Sequence, residues 1–303
     1  MNRRTFLQLA IRAGCAAGVL GTYSVFLERY LVRFPVYRIP VPYLPEEFVG
    51  LTLVHITDIH YGYLVPYAFV ERLVHQIKML EKDVIVCTGD YIHERNSTRQ
   101  IDQIWPLLRT LEAPSGVYSV LGNHDHWGST ERSLYWLEKS GHNLRGKVTY
   151  LEKNGQRVWF AGIGDFHEDP LLLDPILQQI PENECRIVLA HNPDSADTAF
   201  DGRIDLMIAG HTHGGQVNIP FYGPPVLPVK NKNYSFGLKM STKQHQVFIS
   251  RGIGWAIYPV RFNCYPEVPL LQLTRAHHSS PKGEKSALLT SATWSCQWPA
   301  RGI

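Results

Sequence analysis

The chain has 303 residues, 44% of them hydrophobic, and a formal net charge of +3. A chain of this length can bury one sizeable core and still carry tails, and its apolar content is ordinary for a globular protein. The small positive charge, without a dense basic stripe, argues against a nucleic acid as a partner.

The first 33 residues form a separate segment. Arg3 and Arg4 precede an apolar stretch that runs to about Leu27. An arginine pair in this place is typical of a Tat export signal, and the stretch is also about long enough to cross a bilayer as an uncleaved anchor. We favour Tat export, which leaves the protein membrane-associated or exported; the alternative is the cytoplasmic face of the inner membrane. Residues 34–47 are predicted to be a linker.

Five short apolar runs along the rest of the chain each end in a polar cluster. Such runs predict buried β-strands. In open α/β sheets ligands gather at the carboxyl ends of strands, so we expect the clusters to lie close together. The runs and clusters are 51–57 before Asp58 and His60, 83–88 before Asp90, 116–121 before Asn123, His124 and Asp125, 186–190 before His191, and 205–209 before His211 and His213.

The residue types in these clusters are typical of a metal site. Carboxylate, imidazole and side-chain amide together suit Mn, Fe or Zn, and so many ligands can hold two divalent ions. Each short motif alone is more often a turn or a capped helix start. Five of them at five strand ends in one chain favour a shared site.

In this order the motifs resemble those of the calcineurin-like metallophosphoesterases. The glycines after His213, with residues 250–254 and 261–267, resemble the bacterial YaeI/YkuE-type phosphodiesterase branch. The resemblance covers roughly residues 48–273, within a domain predicted over 48–274, and implies a four-layer α/β/β/α sandwich. It also implies two metal ions that share Asp90. The ligands would be Asp58, His60, Asp90 and His213 for one ion, and Asp90, Asn123, His191 and His211 for the other.

The same resemblance gives His124 the place that faces the leaving group, oriented by Asp125. Imidazole titrates near neutrality, which suits a group that protonates a leaving alkoxide. Where the family often has an acidic residue three positions after Asp90, this chain has His93. Two arginines, Arg251 and Arg261, are predicted to bind phosphate oxygens, and structural salt bridges are an equally weighted alternative.

The predicted function is hydrolysis of a phosphoric ester, with a phosphodiester as the favoured substrate and a hydroxide that bridges the metals as the nucleophile. Two alternatives stay open. One is a membrane-associated lipid pyrophosphatase, because a relative in the family hydrolyses UDP-2,3-diacylglucosamine, and that reaction requires a cytoplasmic face. The other is a non-catalytic module that binds metal or ligand. The presence of Asn123, His124 and Asp125 argues against such a module, which needs no proton donor.

Local patterns predict further elements between the motifs. Apolar residues recur at a helical period over 66–82, and residues 130–140 read as a helix that ends at Gly141. The pair Asn154-Gly155 between two strand-like runs predicts a hairpin turn.

Two loops and the C-terminus complete the prediction. Residues 217–229 and 252–262 carry aromatic side chains near the metal motifs, where they could hold an acyl chain or enter a membrane interface. Ordinary loop packing is the favoured alternative. Residues 275–303 are rich in small and polar side chains and are predicted to be disordered.

Overall fold

The computed structural model describes residues 2–169 and 173–276. Its helices are α1 (Arg3–Phe26), α2 (Tyr67–Lys78), α3 (Thr98–Leu108), α4 (Asn123–Ser140) and α5 (Asp174–Leu177). Its strands are β1 (Val36–Val41), β2 (Thr52–Ile56), β3 (Val84–Cys87), β4 (Val117–Ser119), β5 (Val148–Lys153), β6 (Gln156–Gly162), β7 (Cys185–Leu189), β8 (Leu206–Ala209), β9 (Gly237–Met240), β10 (Gln246–Ile249) and β11 (Leu270–Arg275). The tail predicted to be disordered from residue 275 is wrong at its first residue, because Arg275 ends β11, and from position 277 onward it lies outside the described residues.

The strands form two mixed sheets. The first has five strands in the order β1-β11-β2-β3-β4, and the second has six in the order β5-β6-β7-β8-β10-β9. In the first sheet β2, β3 and β4 run parallel, and in the second β6, β7, β8 and β10 run parallel. Parallel strands have both faces covered, which explains why β3, β7 and β8 are buried at every position.

Neighbouring residues of one strand face different layers, because side chains alternate across a sheet. Leu53 of β2 and Ile187 of β7 belong to the core between the two sheets. Val54 packs instead with the helices α2, α3 and α4, while Val188 packs with α5. The layers are therefore helices, sheet, sheet and a thin helical layer, which confirms the predicted α/β/β/α sandwich.

The five predicted apolar runs are all strands, namely β2, β3, β4, β7 and β8. The helix predicted over 66–82 is α2. The helix predicted over 130–140 is the second part of α4, which is interrupted at the non-helical Ser129 (φ −178°, ψ 112°) and ends before Gly141, as predicted. The predicted hairpin joins β5 to β6, and both Asn154 and Gly155 have positive φ (51° and 75°), as a primed turn requires.

The predicted linker is wrong in part, because residues 34–47 contain β1. This strand pairs parallel with β11 over its whole length, from Val36 beside Leu270 onward. Ile39 and Val41 are buried in the core between the sheets. The segment is therefore the edge strand of the first sheet, and its buried side chains contribute to the core.

Helix α1 leaves the sandwich with its apolar side chains exposed. The stretch Arg3–Tyr30 is long and apolar enough to cross a membrane by length and composition. Ile11 and Val19 are more than 60% exposed, whereas Ser24 near the end of the helix is buried. Only the last turn of α1 therefore packs against the domain.

Candidate metal centre

The seven predicted ligands come together at the carboxyl ends of strands from both sheets. Each ligand follows a strand whose position is fixed by the buried strands beside it. Five of them have a left-handed backbone, with φ between 50° and 69°, namely Asp58, His60, Asp90, His211 and His213. This conformation costs a residue other than glycine about 1 kcal/mol or more, and such strain clusters at functional sites because the surrounding structure enforces it.

One group of side-chain atoms gathers around His60. Its Nε2 atom lies 2.9 Å from Nε2 of His213 and 3.9 Å from Oδ1 of Asp58. The His213 and Asp58 atoms are 3.4 Å apart. Ligands of one ion with bonds of about 2.0–2.2 Å lie about 3–4 Å from one another. These three atoms have that spacing.

A second group gathers around His191. Its Nε2 atom lies 3.1 Å from Oδ1 of Asn123 and 3.0 Å from Nδ1 of His211. These atoms come from three strand ends, those of β4, β7 and β8. The amide oxygen adds a ligand without adding charge, so the second group has the composition of a second site for one ion.

One carboxylate oxygen lies between the two groups. Oδ2 of Asp90 is 3.5 Å from Nε2 of His60 and 3.2 Å from Nε2 of His191. The other oxygen, Oδ1, accepts the backbone N–H of His124 at 2.8 Å, which fixes the carboxylate plane. A carboxylate held in this way can serve both groups.

Hydrogen bonds outside each group decide which ring nitrogen faces inward. Nδ1 of His191 lies 2.8 Å from the carbonyl oxygen of Thr88, and Nε2 of His211 lies 2.9 Å from that of Pro228. A carbonyl oxygen only accepts, so these nitrogens must donate. The opposite nitrogen of each ring is then turned toward the ligand group, as in most metal-binding histidines.

The charges of the site favour a cation. Burial lowers the pKa of His60 and of His213 well below the usual value, so both rings are neutral. Burial raises the pKa of Asp58 to about 6. Although burial opposes ionisation of Asp90, the nearby His191 and His124 hold its pKa well below the usual value. Neutral imidazoles beside a carboxylate are the donors that a divalent ion requires.

His191 shows the same preference for positive charge. Burial by itself lowers the pKa of this imidazole, but the charge of Asp90, its hydrogen bond and the charge of Asp58 raise the pKa to about 10. The two carboxylates therefore stabilise positive charge at the position of the His191 ring. The donor set, its spacing and its charge all fit two divalent metal ions.

Two glycines let the chain segments approach the carboxylates. A Cβ atom on Gly122 would lie 2.3 Å from Oδ1 of Asp90, and one on Gly210 would lie 2.3 Å from Oδ2 of Asp58. Any larger residue would displace a ligand. This explains why glycine directly precedes Asn123 and follows the strand β8.

His124 lies beside the first group but does not meet the predicted partner. Nδ1 of its ring is 2.8 Å from the carbonyl oxygen of His93, and its ring centroid is 4.5 Å from that of His60. The carboxylate of Asp125 instead accepts the backbone N–H groups of Asp90, Tyr91 and Gly122. This corrects the prediction that Asp125 orients His124. Consecutive helix residues point in different directions, so Asp125 caps the start of α4 while His124 faces the site.

Two residues near the site were missed as candidates. Nδ1 of His93 lies 3.4 Å from Nδ1 of His60, so the imidazole that replaces the usual acid still reaches that ligand. Asp165 follows β6 and is fully buried, and its charge, with that of Asp90, opposes the burial that lowers the pKa of His211 to about 4. Gly164 before Asp165 repeats the pattern of the other clusters, a signal in the sequence that could have found it.

The two arginines predicted to bind phosphate are engaged inside the protein. Nη1 of Arg251 lies 2.6 Å from Oε2 of Glu267. Arg261 is fully buried and donates to the carbonyl oxygens of Gly254, Cys264 and Arg251. This corrects the predicted phosphate contact, because the guanidinium groups are already paired. They hold the loop that follows β10.

The sequence model described as calcineurin-like phosphoesterase matches residues 51–215, the part of the chain that contains all seven predicted ligands. The chain belongs to this family. It is therefore a member of a family of phosphoesterases, and both groups of predicted ligands lie within the matched region.

Relatives share most of the chain. A Bacillus subtilis protein named uncharacterized metallophosphoesterase YkuE is 30% identical over 281 residues, which are 90% of this chain and 98% of that one. Escherichia coli phosphodiesterase YaeI is 30% identical over 283 residues, 90% of this chain and 99% of that one. A Danio rerio transmembrane protein with metallophosphoesterase domain is 28% identical over 293 residues, 90% of this chain and 63% of that one.

Solved structures show only a distant likeness. Haemophilus influenzae NAD nucleotidase is 15% identical, with a TM-score of 0.45 over 68% of this chain and 45% of that one. A Danio rerio dimetal phosphatase is 13% identical, with a TM-score of 0.42 over 68% of this chain and 88% of that one.

Proposed function

We propose that this protein is a phosphodiesterase that depends on two divalent metal ions. The observation that carries the proposal is the position of Asp90 Oδ2, which lies within 3.5 Å of a ligand atom in each group. Two cations held there would neutralise phosphoryl oxygens and lower the pKa of a bound water to near neutrality. The mixture of imidazole and oxygen ligands supports Mn, Zn or Fe as the ion.

Each group of side chains would hold one ion, with Asp90 in common. The first comprises Asp58, His60, Asp90 and His213, and the second comprises Asp90, Asn123, His191 and His211. Asp58, His60, Asp90 and His191 are at most 2% exposed, which supports a role as rigid ligands. Burial also excludes bulk water, and a charge on the substrate then interacts more strongly with the site.

His124 is the group that we propose to assist the leaving oxygen. Its Nδ1 atom must donate to the carbonyl oxygen of His93, which leaves Nε2 as the atom that can bind or protonate an alkoxide. This ring lies beside the ligands without belonging to the two groups. The His124 ring also lies with those of His60 and His93 in a cluster whose ligand atoms are within 4.8 Å of one another, so the metal content of a His124 variant decides between catalysis and metal binding.

A phosphodiester is the substrate class that the relatives support, because the Escherichia coli protein of 30% identity is named a phosphodiesterase. The alternative is a lipid pyrophosphatase of the UDP-2,3-diacylglucosamine type. The whole chain, purified in detergent and supplied with Mn²⁺, should be assayed against p-nitrophenyl phosphate, bis(p-nitrophenyl) phosphate and a UDP-linked lipid. We expect the highest kcat/KM for the diester. A preference for the monoester, or for the UDP-linked lipid, would overturn the proposed specificity.

We also propose that α1 brings the protein to the membrane after recognition of the arginine pair by the Tat system. The exposed apolar surface of α1 supports insertion in a bilayer, either as a signal or as a retained anchor. A location on the cytoplasmic face remains the alternative, and it would favour the lipid pyrophosphatase.

A further inference from the structure

Two neighbouring loops beside the metal centre expose a set of apolar side chains, here called the docking face. Its members are Ile219, Phe221, Tyr222, Val226, Ile257 and Tyr258. Phe221 is fully exposed at the tip of a tight turn, in which the N–H of Gly223 donates to the carbonyl oxygen of Ile219 at 2.8 Å. Side chains of this kind cluster on soluble surfaces mainly where something covers them.

Hydrogen bonds join the two loops into one surface. The backbone N–H of Asn218 donates to the carbonyl oxygen of Phe262 at 2.8 Å. The side chain of Gln216 accepts the N–H of Ala256 at 2.6 Å and donates to its carbonyl oxygen at 3.1 Å. The two groups of exposed side chains therefore belong to one region.

The second loop is also bound to the end of α1. The N–H of Arg261 donates to the carbonyl oxygen of Ser24 at 3.2 Å, and the hydroxyls of Tyr23 and Tyr265 are 2.8 Å apart. Two residues beyond the helix, buried Glu28 accepts the N–H of Cys264 at 2.7 Å. The end of α1 is thus fixed to the domain and is not a flexible tether.

These contacts determine where a bilayer would lie. A helix of 24 residues is about 36 Å long, and a hydrocarbon core is about 30 Å thick, so a spanning α1 emerges from the bilayer near its last turn. Tyr258 is three residues from Arg261, which contacts that turn, and is therefore at most about 11 Å from it along the chain. Aromatic side chains at this depth are favoured, because they combine an apolar ring with polar edges.

We propose that the docking face enters the interface of the same bilayer that α1 crosses. The occupant of this surface is lipid, since the fixed helix end holds the face where lipid is. The inference rests on retention of α1 as an anchor. The metal centre is then held at the membrane surface, because Gln216 follows His213 by three residues and Nη2 of Arg261 lies 3.4 Å from Nδ1 of His213.

The position of the face can be measured with a fluorescent probe on the full chain. Phe221→Cys and Tyr258→Cys, in a background with Cys15→Ser and Cys296→Ser, would each be labelled with NBD. Met79→Cys is the matched control, since Met79 is exposed and apolar but lies at the far end of α2. The labelled proteins are reconstituted in vesicles of phosphatidylethanolamine and phosphatidylglycerol, with and without nitroxide-labelled lipid.

We expect the lipid nitroxide to quench the probes at 221 and 258, and iodide to leave their emission unchanged. The probe at 79 should be quenched by iodide and unaffected by the lipid nitroxide. Native Cys15, exposed on α1, serves as the anchor probe in a protein that carries Cys296→Ser alone. Quenching of Cys15 alone would overturn the docking face while retaining the anchor, and no quenching at Cys15 would overturn both. Probes at 221 and 258 that resist both quenchers would mark a contact between copies of this chain and also overturn the proposal. The measurement needs no catalysis, so loss of the proposed activity would not affect it.

Discussion

The Nε2 atoms of His60 and His213 lie 2.9 Å apart, although 153 positions separate the two residues in the sequence. Both rings are buried, and burial holds the pKa of each well below the usual value. Both nitrogens also lie near Oδ1 of Asp58, at 3.9 Å from His60 and 3.4 Å from His213. They gain most from a shared cation.

The first prediction concerns metal content. Asp90→Asn should remove most of both ions and lower kcat/KM by at least about 100-fold, because one oxygen serves both ligand groups. Elemental analysis of the purified protein measures the loss. The control is Glu46→Gln, which also replaces a carboxylate by an amide, but in an exposed ion pair with Arg275. This variant should keep two ions per chain. One ion or none in active wild-type protein would contradict the two-metal site.

The second prediction concerns His124. His124→Ala should lower kcat by about 10²- to 10⁴-fold with metal content near that of the wild type, because the ring assists the leaving group without belonging to either ligand group. The loss should shrink for esters of p-nitrophenol, which leaves without a proton. A variant that loses metal and activity together would identify His124 as a ligand.

The third prediction tests the role found for Asp125. Its carboxylate accepts three backbone N–H groups at 2.8–2.9 Å, so Asp125→Ala should lower the free energy of unfolding by about 3 kcal/mol. Urea denaturation of the metal-free protein gives this value. Asp201→Ala, in an exposed loop, is the control and should change it little. A normal stability with a defect in kcat alone would restore an orienting role for Asp125.

The fourth prediction is a pH dependence of metal binding. Below pH 6 a cation must displace a proton from Asp58, whose pKa is about 6, and also one from His191, whose pKa is about 10. At pH 8 only His191 still carries its proton. Affinity for Zn²⁺ should therefore rise with pH, by about tenfold per unit for each proton displaced.

Calorimetric titration in two buffers of different ionisation enthalpy counts these protons. The count is compared between the wild type and Asp58→Asn at pH 5, because at pH 8 the metal-bound water, with a pKa near neutrality, adds a proton of its own. We expect the wild type to release about one more proton per chain than the variant at pH 5. Equal release by the two proteins would show that Asp58 is already ionised before the metal binds.

The fifth prediction concerns export. Arg3→Lys with Arg4→Lys keeps the positive charge but removes the guanidinium pair that a Tat receptor reads. The double variant should remain on the cytoplasmic side, while the wild type is degraded by protease added to spheroplasts. Export of the variant, or protection of the wild type, would contradict the Tat assignment.

Local patterns in the amino-acid sequence are enough to predict the strands and the candidate ligand residues. A buried strand needs only a short apolar run, and the ligands follow five such runs directly, as Asp58 follows β2 and His191 follows β7. Carboxylate, imidazole and amide side chains can bind a divalent metal ion in any fold that brings them together. Pattern and residue type were therefore enough to predict buried strands with polar clusters at their ends, while the sandwich and the division of the seven residues between two ions came from the resemblance to a known family.

The contacts of those residues and of their neighbours follow from the tertiary structure. The ring nitrogen that His211 turns inward depends on the carbonyl oxygen of Pro228, and the partner of Arg261 depends on a loop folded around it. The edge strand β1 depends on its pairing with β11 from the other end of the chain. Each of these contacts joins segments that are brought together by the folding of the whole domain. A local sequence pattern carries no information about which distant segment will lie beside it.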